Sequence, residues 1–283
     1  MNKSSIKGRL ERLFEDPTGK GWINNRIGNT MSFAAYDATD LNNQEMTEFS
    51  QILLLCLKKL AGVWNHFDRY CRLEDNLIER EKNKEIDNIN ISDKIFSDDL
   101  FLEFDEFLVQ IKSTLDYLVK IPKPIVGKNH WNLRTFGDNG EKVSKALRNL
   151  PKEFQELAEI IIEKVINKNQ PWLNYVIEAR DKLNHYFEGC ISFERFSVYK
   201  PNESEVVYVP AWSRKQSIRD FMKIVWWSLI FFTEDFIAFF LMFRMYPYYS
   251  FSRVRAKIEA DESPWKLKKD INLFIQLVTQ NHK

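Results

Sequence analysis

The stretch Phe221–Met245 reads FMKIVWWSLIFFTEDFIAFFLMFRM and is hydrophobic all round a helical wheel. A helix of this kind is buried on most sides, either in a protein core or in a membrane. Its longest uncharged run, Ile224–Thr233, has ten residues and is followed by Glu234 and Asp235. A membrane span needs about 18 apolar residues, and two adjacent carboxylates at mid-depth are costly in lipid. The stretch therefore predicts the buried central helix of a soluble protein, with no membrane partner.

Two amphipathic helices are predicted upstream, because apolar side chains recur there at steps of three and four. Pro122 and Pro124 end the second helix, since proline has no backbone N–H to donate. The region between them, Glu74–Asp98, is charged and rich in asparagine, which indicates a long connection or a frayed helix end. The first stripe is Leu53, Cys56, Leu57, Leu60, Trp64, Phe67 and Cys71, and the second is Phe101, Phe104, Leu108, Ile111, Leu115 and Leu118.

A third amphipathic helix is predicted from Trp172 to about Tyr186. It follows a break at residues 167–171 (NKNQP), because Pro171 fits the first turn of a new helix. Gly189 is placed to end this helix. Its apolar stripe is Trp172, Val176, Ala179 and Leu183.

After this helix, two short runs rich in β-branched and aromatic residues flank residues 200–204 (KPNES). They predict a hairpin near 190–210 with a five-residue loop. The alternation slips at Arg195, which indicates a bulge. A final helix is predicted over residues 264–278, and residues 1–45 are predicted to be irregular because glycine and proline interrupt them. The fold class is therefore a mainly α-helical bundle with an inserted β-hairpin, in a single domain that spans the whole chain.

Composition limits the class of protein. The chain has 283 residues, of which 44% are hydrophobic and 29% charged, and a net charge of +1. This apolar fraction is ample for a packed core and excludes wholesale disorder. Cys56, Cys71 and Cys190 are too few and too scattered for a disulfide framework or a zinc site, and suit a reducing compartment. Residues 1–14 lack the apolar run of a secretory signal, so we expect a cytoplasmic protein.

Charge is unevenly placed along the chain. Glu74–Glu106 has a net charge of −8, whereas Arg244–Lys269, the basic–aromatic segment, has a net charge of +4. Basic side chains attract phosphates and aromatic faces stack on bases, so this segment could contact nucleic acid. A solvated helix end with core aromatics would have the same composition. Its aromatic residues are Tyr246, Tyr248, Tyr249, Phe251 and Trp265.

Most enzyme signatures are absent, among them the glycine-rich phosphate loops, HExxH, GxSxG and CxxC. The four histidines, His66, His130, His185 and His282, are too dispersed to suggest a metal cluster. We therefore expect neither a metal nor a cofactor.

One group of polar residues could still form a catalytic or binding site, in residues 178–186 (EARDKLNHY). Asp181 and His185 are one helical turn apart and can hydrogen-bond, which would fix the imidazole tautomer and raise its basicity. Arg180 and Asn184 form a second such pair, suited to gripping a phosphate. At 100° per residue Arg180 and His185 diverge by about 140°. Either the helix ends near Asn184, or a second copy of the chain completes one site; we favour a homodimer.

Arg180-Asp181-x-x-x-His185 resembles the R-x4–6-H motif of the HEPN superfamily, including its polar residue after the arginine. The flanking sequence agrees with this family, because helical segments are predicted before the motif and a long apolar helix after it. The resemblance implies an all-α bundle, here a core of about residues 99–245, that commonly dimerises to bring two motifs into one cleft. Many members are metal-independent ribonucleases of toxin–antitoxin or other defence systems.

Carried over by this resemblance, Arg180 would contact the scissile phosphate and His185 would be the general acid or base. Asp181 would orient the histidine or shape the site. The 2′-hydroxyl of the RNA would be the nucleophile, so that no metal is needed. The implied partners are RNA or a nucleotide, a second copy of the chain, and an antitoxin or other regulatory protein.

Two alternatives stay open. The chain could be a non-catalytic interaction module that binds a nucleotide or a protein through the motif helix and the basic–aromatic segment. Alternatively, Phe221–Met245 could pack against a membrane. Arg180 and His185 could also be structural residues of a salt-bridged helix end, with the arginine paired to an acid and the histidine at the surface.

Overall fold

The protein has the predicted mainly α-helical fold with an antiparallel hairpin. A computed structural model describes residues 15–82, 98–137, 139–185, 192–200, 203–213, 216–255 and 273–279. The helices are α1 (Thr30–Ala38), α2 (Asn43–Lys82), α3 (Asp98–Leu118), α4 (Pro122–Val126), α5 (Glu141–Arg148), α6 (Gln155–Ile161), α7 (Lys168–His185) and α8 (Ile218–Leu241). The strands are β1 (Ser192–Lys200), β2 (Glu203–Ser213), β3 (Gln216–Ser217), β4 (Tyr249–Arg255) and β5 (Leu273–Thr279).

Helix α8 is the buried central helix that its composition predicts. Ser217 caps it, with the Ser217 hydroxyl oxygen accepting from the backbone N–H of Asp220 at 3.1 Å. The stretch Ile218–Arg244 is long and apolar enough to cross a membrane, with a mean hydropathy of 1.7 in its most apolar window. However, 78% of that window is buried inside the protein, as in the core helix of a soluble protein.

Helices α2 and α3 form an antiparallel pair beside α8. Their predicted stripes are confirmed, since Leu57, Leu60, Phe104 and Ile111 are fully buried. Helix α2 nevertheless continues to Lys82, nine residues into the region predicted as a connection or a frayed end. Burial of two residues in this extension, Glu74 and Leu77, anchors the added turns against the core.

The predicted break before α7 is a change of helical pitch. A π-helical segment, Ile162–Asn167, joins α6 directly to α7, so the predicted break is wrong and Pro171 lies inside a continuous helical run. The Asn169 amide nitrogen donates to the Val165 carbonyl at 2.7 Å, and its oxygen accepts from Trp172 Nε1 at 2.7 Å. Asn169 therefore supports the junction through its side chain, and the chain turns more loosely without leaving the helix.

The prediction of an irregular segment over residues 1–45 is wrong for its described second half. A π-helical turn, Asn24–Asn29, leads into α1. The Asp16 carboxylate initiates this turn by accepting from the backbone N–H groups of Ile23 at 2.9 Å and Asn24 at 2.7 Å. Packing against the core overrides the weak local pattern here, whereas residues 1–14 lie outside the described part of the chain.

The hairpin of β1 and β2 is confirmed, with two corrections. Its register runs without interruption from Ser192↔Ala211 to Lys200↔Glu203, so the predicted bulge at Arg195 is wrong. The pairing also reaches Lys200↔Glu203, which makes the connection shorter than the predicted five residues. The irregularity lies instead between β2 and β3, where the register shifts from Ala211 to Ser213.

The predicted C-terminal helix over residues 264–278 is wrong where the chain is described. Residues Leu273–Thr279 form β5, which pairs with β4 from Tyr249↔Thr279 to Arg255↔Leu273. Residues 256–272 lie outside the described part of the chain. The apolar run of β5 is too short for its period to separate strand from helix, and pairing with a distant strand decides between them.

Candidate functional site

The four predicted site residues lie on the last two turns of α7. The helix spans Lys168–His185, so Arg180, Asp181, Asn184 and His185 all have helical backbone. The side chains of Asn184 and His185 lie outside the described residues, and their predicted roles stay predictions. One helix therefore carries all four predicted residues.

The apolar stripe of α7 holds the motif against the bundle. Val176, Ala179 and Leu183 are buried and Trp172 is half-buried against the core, as predicted. Leu173 is also buried, so the packed face is wider than the predicted stripe. This packing orients the last turns of α7 with respect to α3 and α8.

Arg180 and Asp181 have different environments. Arg180 is half-buried, whereas Asp181 is exposed. Arg180 lies close enough to Asp105 of α3 for its charge to act on that carboxyl group. Burial and the neighbouring Glu106 raise the pKa of Asp105, and the Arg180 charge opposes them. The guanidinium of Arg180 has five donors in a planar fork and can therefore bind an anion such as a phosphate.

Helical geometry restricts what one copy of the motif can do. Positions 180 and 185 are separated by about 140° around a regular helix. One chain therefore presents these two positions on different sides of α7. Two copies of α7 side by side could supply the arginine from one chain and the histidine from the other.

A second polar cluster, which sequence reasoning missed, lies where α2 meets the start of α8. Glu74 is 2% exposed, and its carboxylate accepts from Tyr70 Oη at 3.5 Å and Arg219 Nη1 at 3.4 Å. Arg219 also donates to both carboxylate oxygens of Asp75, at 2.5 and 3.2 Å. The i,i+4 spacing of Tyr70 and Glu74 was the available signal, but Arg219 is 145 positions away and only folding brings it here.

Burial alters the acidity of this cluster. It raises the pKa of Glu74 to about 7, although the Arg219 charge acts in the opposite direction. Burial also raises the pKa of Cys71 to about 11 and that of Cys56 in the core to about 12. Both thiols therefore stay protonated near neutral pH and are poor nucleophiles.

The described part of the basic–aromatic segment divides into a structural and an exposed portion. Arg244 Nε donates to Asp40 Oδ1 at 2.5 Å, and Arg244 Nη1 donates to the Ile125 carbonyl at 3.1 Å. This arginine therefore fastens the end of α8 to neighbouring segments. Tyr246 and Tyr248 are 37% and 44% exposed, and their rings stack in parallel with centroids 5.6 Å apart.

Neither of the other described histidines suggests a catalytic or metal site. His66 Nδ1 lies 2.7 Å from Glu103 Oε2 between α2 and α3, a contact within one chain that links the two helices. His130 is exposed in the loop after α4. Among the described residues no group of three or more His, Cys, Asp or Glu side chains could hold a metal ion.

Comparison with known proteins finds no matching family model, curated protein or solved structure. The HEPN resemblance therefore depends on the motif in α7 and on the helical surroundings that the sequence predicts.

Proposed function

We propose that this protein is a HEPN-like, metal-independent endoribonuclease that acts as a homodimer. The observation that carries the proposal is the Arg180-Asp181-x-x-x-His185 sequence on the last turns of a helix packed into a helical core. The half-buried position of Arg180 supports it, because a partly desolvated guanidinium attracts a phosphate more strongly than a fully exposed one.

The proposed reaction needs two proton transfers and one anion-binding group. The 2′-oxygen of the RNA bonds to phosphorus and the bond from phosphorus to the 5′-oxygen breaks. His185 of one chain takes the proton of the 2′-hydroxyl, and His185 of the second chain protonates the departing 5′-oxygen. Arg180 binds the phosphate and stabilises its developing charge, with Asn184 beside it. The products carry a 2′,3′-cyclic phosphate and a 5′-hydroxyl.

Asp181 has a supporting role in this proposal. One turn before His185, its carboxylate would accept a hydrogen bond from one ring nitrogen and leave the other for proton transfer. We further propose a cytoplasmic role in defence or toxin–antitoxin control, with a regulatory protein that restrains cleavage.

The test is cleavage of total RNA by the purified protein in EDTA. We expect wild type to cut, and Arg180→Ala and His185→Ala each to lose at least about 100-fold in rate, the usual contribution of an acid–base group. Matched controls are Arg148→Ala, which removes a 59%-exposed arginine of α5, and His130→Ala, which removes an exposed loop histidine. Both controls should cut at the wild-type rate.

Melting temperatures are measured first. Cleavage rates are compared only among variants whose melting temperature matches that of wild type. A substrate with a single 2′-deoxy sugar at the cut site should resist cleavage, since it lacks the nucleophile. Cleavage that survives both motif substitutions would eliminate the motif as the catalytic site. Mixing the two inactive variants should not restore cleavage, because a mixed dimer lacks one of the two His185 side chains that the proposed reaction uses.

The second candidate function is a non-catalytic binding module. The stacked and exposed rings of Tyr246 and Tyr248 favour it, because such faces accept bases or other flat groups. In that case wild type would bind labelled RNA without cutting it, and Tyr246→Ala with Tyr248→Ala would weaken binding. His185→Ala would leave all biological activity unchanged.

A further inference from the structure

A basic surface lies on the side of the bundle that α4, the loop after it and α5 form. Residues 119–150 make up this basic surface, and they contain seven lysine or arginine side chains against two acidic ones. Their net charge is +5, whereas that of the whole chain is +1. Such a concentration of positive charge attracts polyanions.

Three cations of the basic surface are exposed and unpaired. They are Arg134 in the loop and Lys142 and Lys145 on α5. In the described part of the chain, none of these three side chains has an ion-pair or hydrogen-bond partner. Lys142 and Lys145 are three residues apart and so share the solvent side of α5. The stem of Lys142 lies over Gly137, where an added Cβ would be 3.2 Å from its Cδ, so α5 brings Lys142 beside the loop that carries Arg134.

The other cations of the basic surface already have partners within the protein. They are therefore less available to an external anion than the three unpaired side chains. The partners are Glu48 for Lys123 at 2.8 Å and for Lys128 at 3.6 Å, Glu159 for Arg148 at 3.9 Å, and the ring of Tyr117 for Lys120 at 4.2 Å.

The loop between α4 and α5 is held to the core by two buried aromatic residues. Trp131 Nε1 donates to the Val119 carbonyl at 2.6 Å. The backbone N–H of Phe136 donates to Asp116 Oδ1 at 2.8 Å. Because these contacts fix the loop backbone, binding to its exposed side chains requires little ordering of the chain.

The composition of the basic surface favours a nucleic-acid backbone over an acidic protein segment. Protein–protein interfaces have an apolar centre, whereas nucleic-acid interfaces are more polar and more positively charged. Among the described residues of 119–150, no large apolar side chain is exposed. The loop instead exposes Asn129, Asn132 and Thr135, whose side chains can donate hydrogen bonds to phosphate and sugar oxygens.

Helix α3 connects the basic surface with the end of α7. Lys112 Nζ of α3 donates to the Gly137 carbonyl of the loop at 2.8 Å. Asp105, on which the charge of Arg180 acts, lies seven residues earlier and on the same face of α3. Seven residues of helix span only about 10 Å. A strand bound to the basic surface could therefore extend along α3 to Arg180.

We propose that Arg134, Lys142 and Lys145 bind the phosphate backbone of single-stranded RNA, with one phosphate neutralised by each side chain. The choice of RNA as the polyanion rests on the proposed function, because a strand on the basic surface leads toward the α7 motif. Contacts of this kind position the strand without reading its bases, so binding is independent of sequence.

The test is binding of a fluorescein-labelled RNA of about 12 nucleotides, measured by fluorescence anisotropy over a range of salt concentrations. Every sugar of this probe carries a 2′-O-methyl group, so the proposed cleavage cannot consume it. For a single strand, the slope of log affinity against log salt is about −0.7 for each phosphate neutralised. The triple variant Arg134→Gln, Lys142→Gln, Lys145→Gln should therefore flatten the slope by about 2 and weaken binding in about 50 mM salt at least about tenfold.

Two further variants make the test specific. Arg72→Gln removes a 68%-exposed arginine of α2 outside the basic surface and should keep the wild-type slope. The double variant Lys142→Gln, Lys145→Gln leaves the loop unchanged and should flatten the slope by about 1.4, which tests the proposal even if the triple variant does not fold. Slopes are compared among variants whose melting temperature matches that of wild type.

The probe separates this proposal from the proposed function. Wild type that binds the probe with the expected slopes but cuts no RNA would contradict the proposed function alone. Wild type that cuts RNA, with a folded triple variant that binds the probe as wild type does, would contradict this proposal alone.

Two other results would overturn the proposal. The first is that wild type at about 100 μM does not bind the probe in about 50 mM salt, where even non-specific binding to nucleic acid should be detectable. The second is that a labelled peptide of about 12 glutamates binds as tightly as the probe, which would identify an acidic protein segment as the partner.

Discussion

Glu74 is a carboxyl group in an environment that disfavours its charge. It lies against Tyr70 and Arg219 and is 2% exposed. Asp75 and Asp220 add negative potential, while Arg219 divides its donors between Glu74 and Asp75. Burial is the largest influence and raises the pKa of Glu74 from 4.5 to about 7. The folded protein therefore holds the Glu74 proton at a pH where the unfolded chain has released it.

We expect this proton to make stability depend on pH. Because the folded pKa is the higher one, the Glu74 contribution is complete below pH 4.5 and is lost as pH rises to about 7. The loss is about 3 kcal/mol of unfolding free energy. Glu74→Gln stays neutral at every pH and should remove this part of the pH dependence. Urea unfolding at pH 5 and pH 8 measures it.

The matched control is Glu79→Gln, which alters an exposed glutamate of the same helix. This variant should show the same difference in unfolding free energy between pH 5 and pH 8 as wild type. Identical pH dependence in wild type and Glu74→Gln would mean that Glu74 is ionised throughout this range in the folded protein.

Helix α8 shows how one element can organise the core. Phe221 packs edge-on against Phe104 of α3 at 5.7 Å and against Tyr175 of α7 at 5.0 Å. Farther along α8, the ring centroid of Trp226 lies 5.3 Å from that of Trp64 in α2. Aromatic pairs in such tilted and edge-on arrangements add to the free energy of simple area burial. Three other helices therefore depend on α8 for their packing.

Removal of one of these side chains should cost much of the stability of the fold. Trp226 is fully buried, and Trp226→Ala should lower the unfolding free energy by about 3–5 kcal/mol through lost contacts and a residual cavity. Ile224→Ala, on the same helix at a 40%-exposed position, should cost less than about 1 kcal/mol. Urea unfolding compares the two. A near-neutral Trp226→Ala would make α8 peripheral.

The helices and strands of this protein differ in how well the local sequence pattern predicts them. The stripes of α2, α3 and α7 predict helices correctly, because a helix buries residues at its own repeat whichever neighbour covers them. Strand β5 is different. Its run LFIQLVT fits either a helix or a strand, and seven backbone pairings with β4 decide for the strand.

The first described segment is joined to the last helix of the core through a buried ion pair. Arg26 donates from Nε and Nη2 to the two carboxylate oxygens of Glu234, at 2.6 and 2.7 Å. Both side chains are at most 1% exposed, and the guanidinium lies 4.8 Å from the Phe231 ring centroid. The pair explains how α8 carries a glutamate in its apolar middle, since the arginine neutralises it.

Breaking this pair should destabilise the whole fold. Glu234→Gln removes the carboxylate charge that opposes the buried Arg26 guanidinium and should cost about 3–5 kcal/mol of unfolding free energy. The double variant Arg26→Met with Glu234→Leu should be more stable than Glu234→Gln, because it buries no charge. Arg72→Met, at a pair with Asp68 in which the arginine is 68% exposed, should cost less than about 1 kcal/mol. Urea unfolding of the four proteins tests the order.

At the scale of the whole molecule, the Arg26–Glu234 pair shows what the sequence predicts and what it does not. Glu234 in the apolar stretch Phe221–Met245 predicts a partner close to it in the fold, because a buried charge requires one. The partner itself is 208 positions away, in a segment whose glycines and polar side chains predict no regular structure. Its helical turn and α1 form because Arg26 and Trp22 pack against residues of α8 and α2, which come close only in the folded protein.

Local periodicity is thus sufficient for the helical class, the central helix, the hairpin and the placement of Arg180, Asp181, Asn184 and His185 on one helix. In these cases the deciding interactions lie within a few turns of each other. The cluster around Glu74, the pairing of β4 with β5 and the order in residues 15–38 depend on tertiary contact. Their stabilising partners are distant in sequence, so no local pattern records them, and the free energy that favours them exists only after the chain has packed.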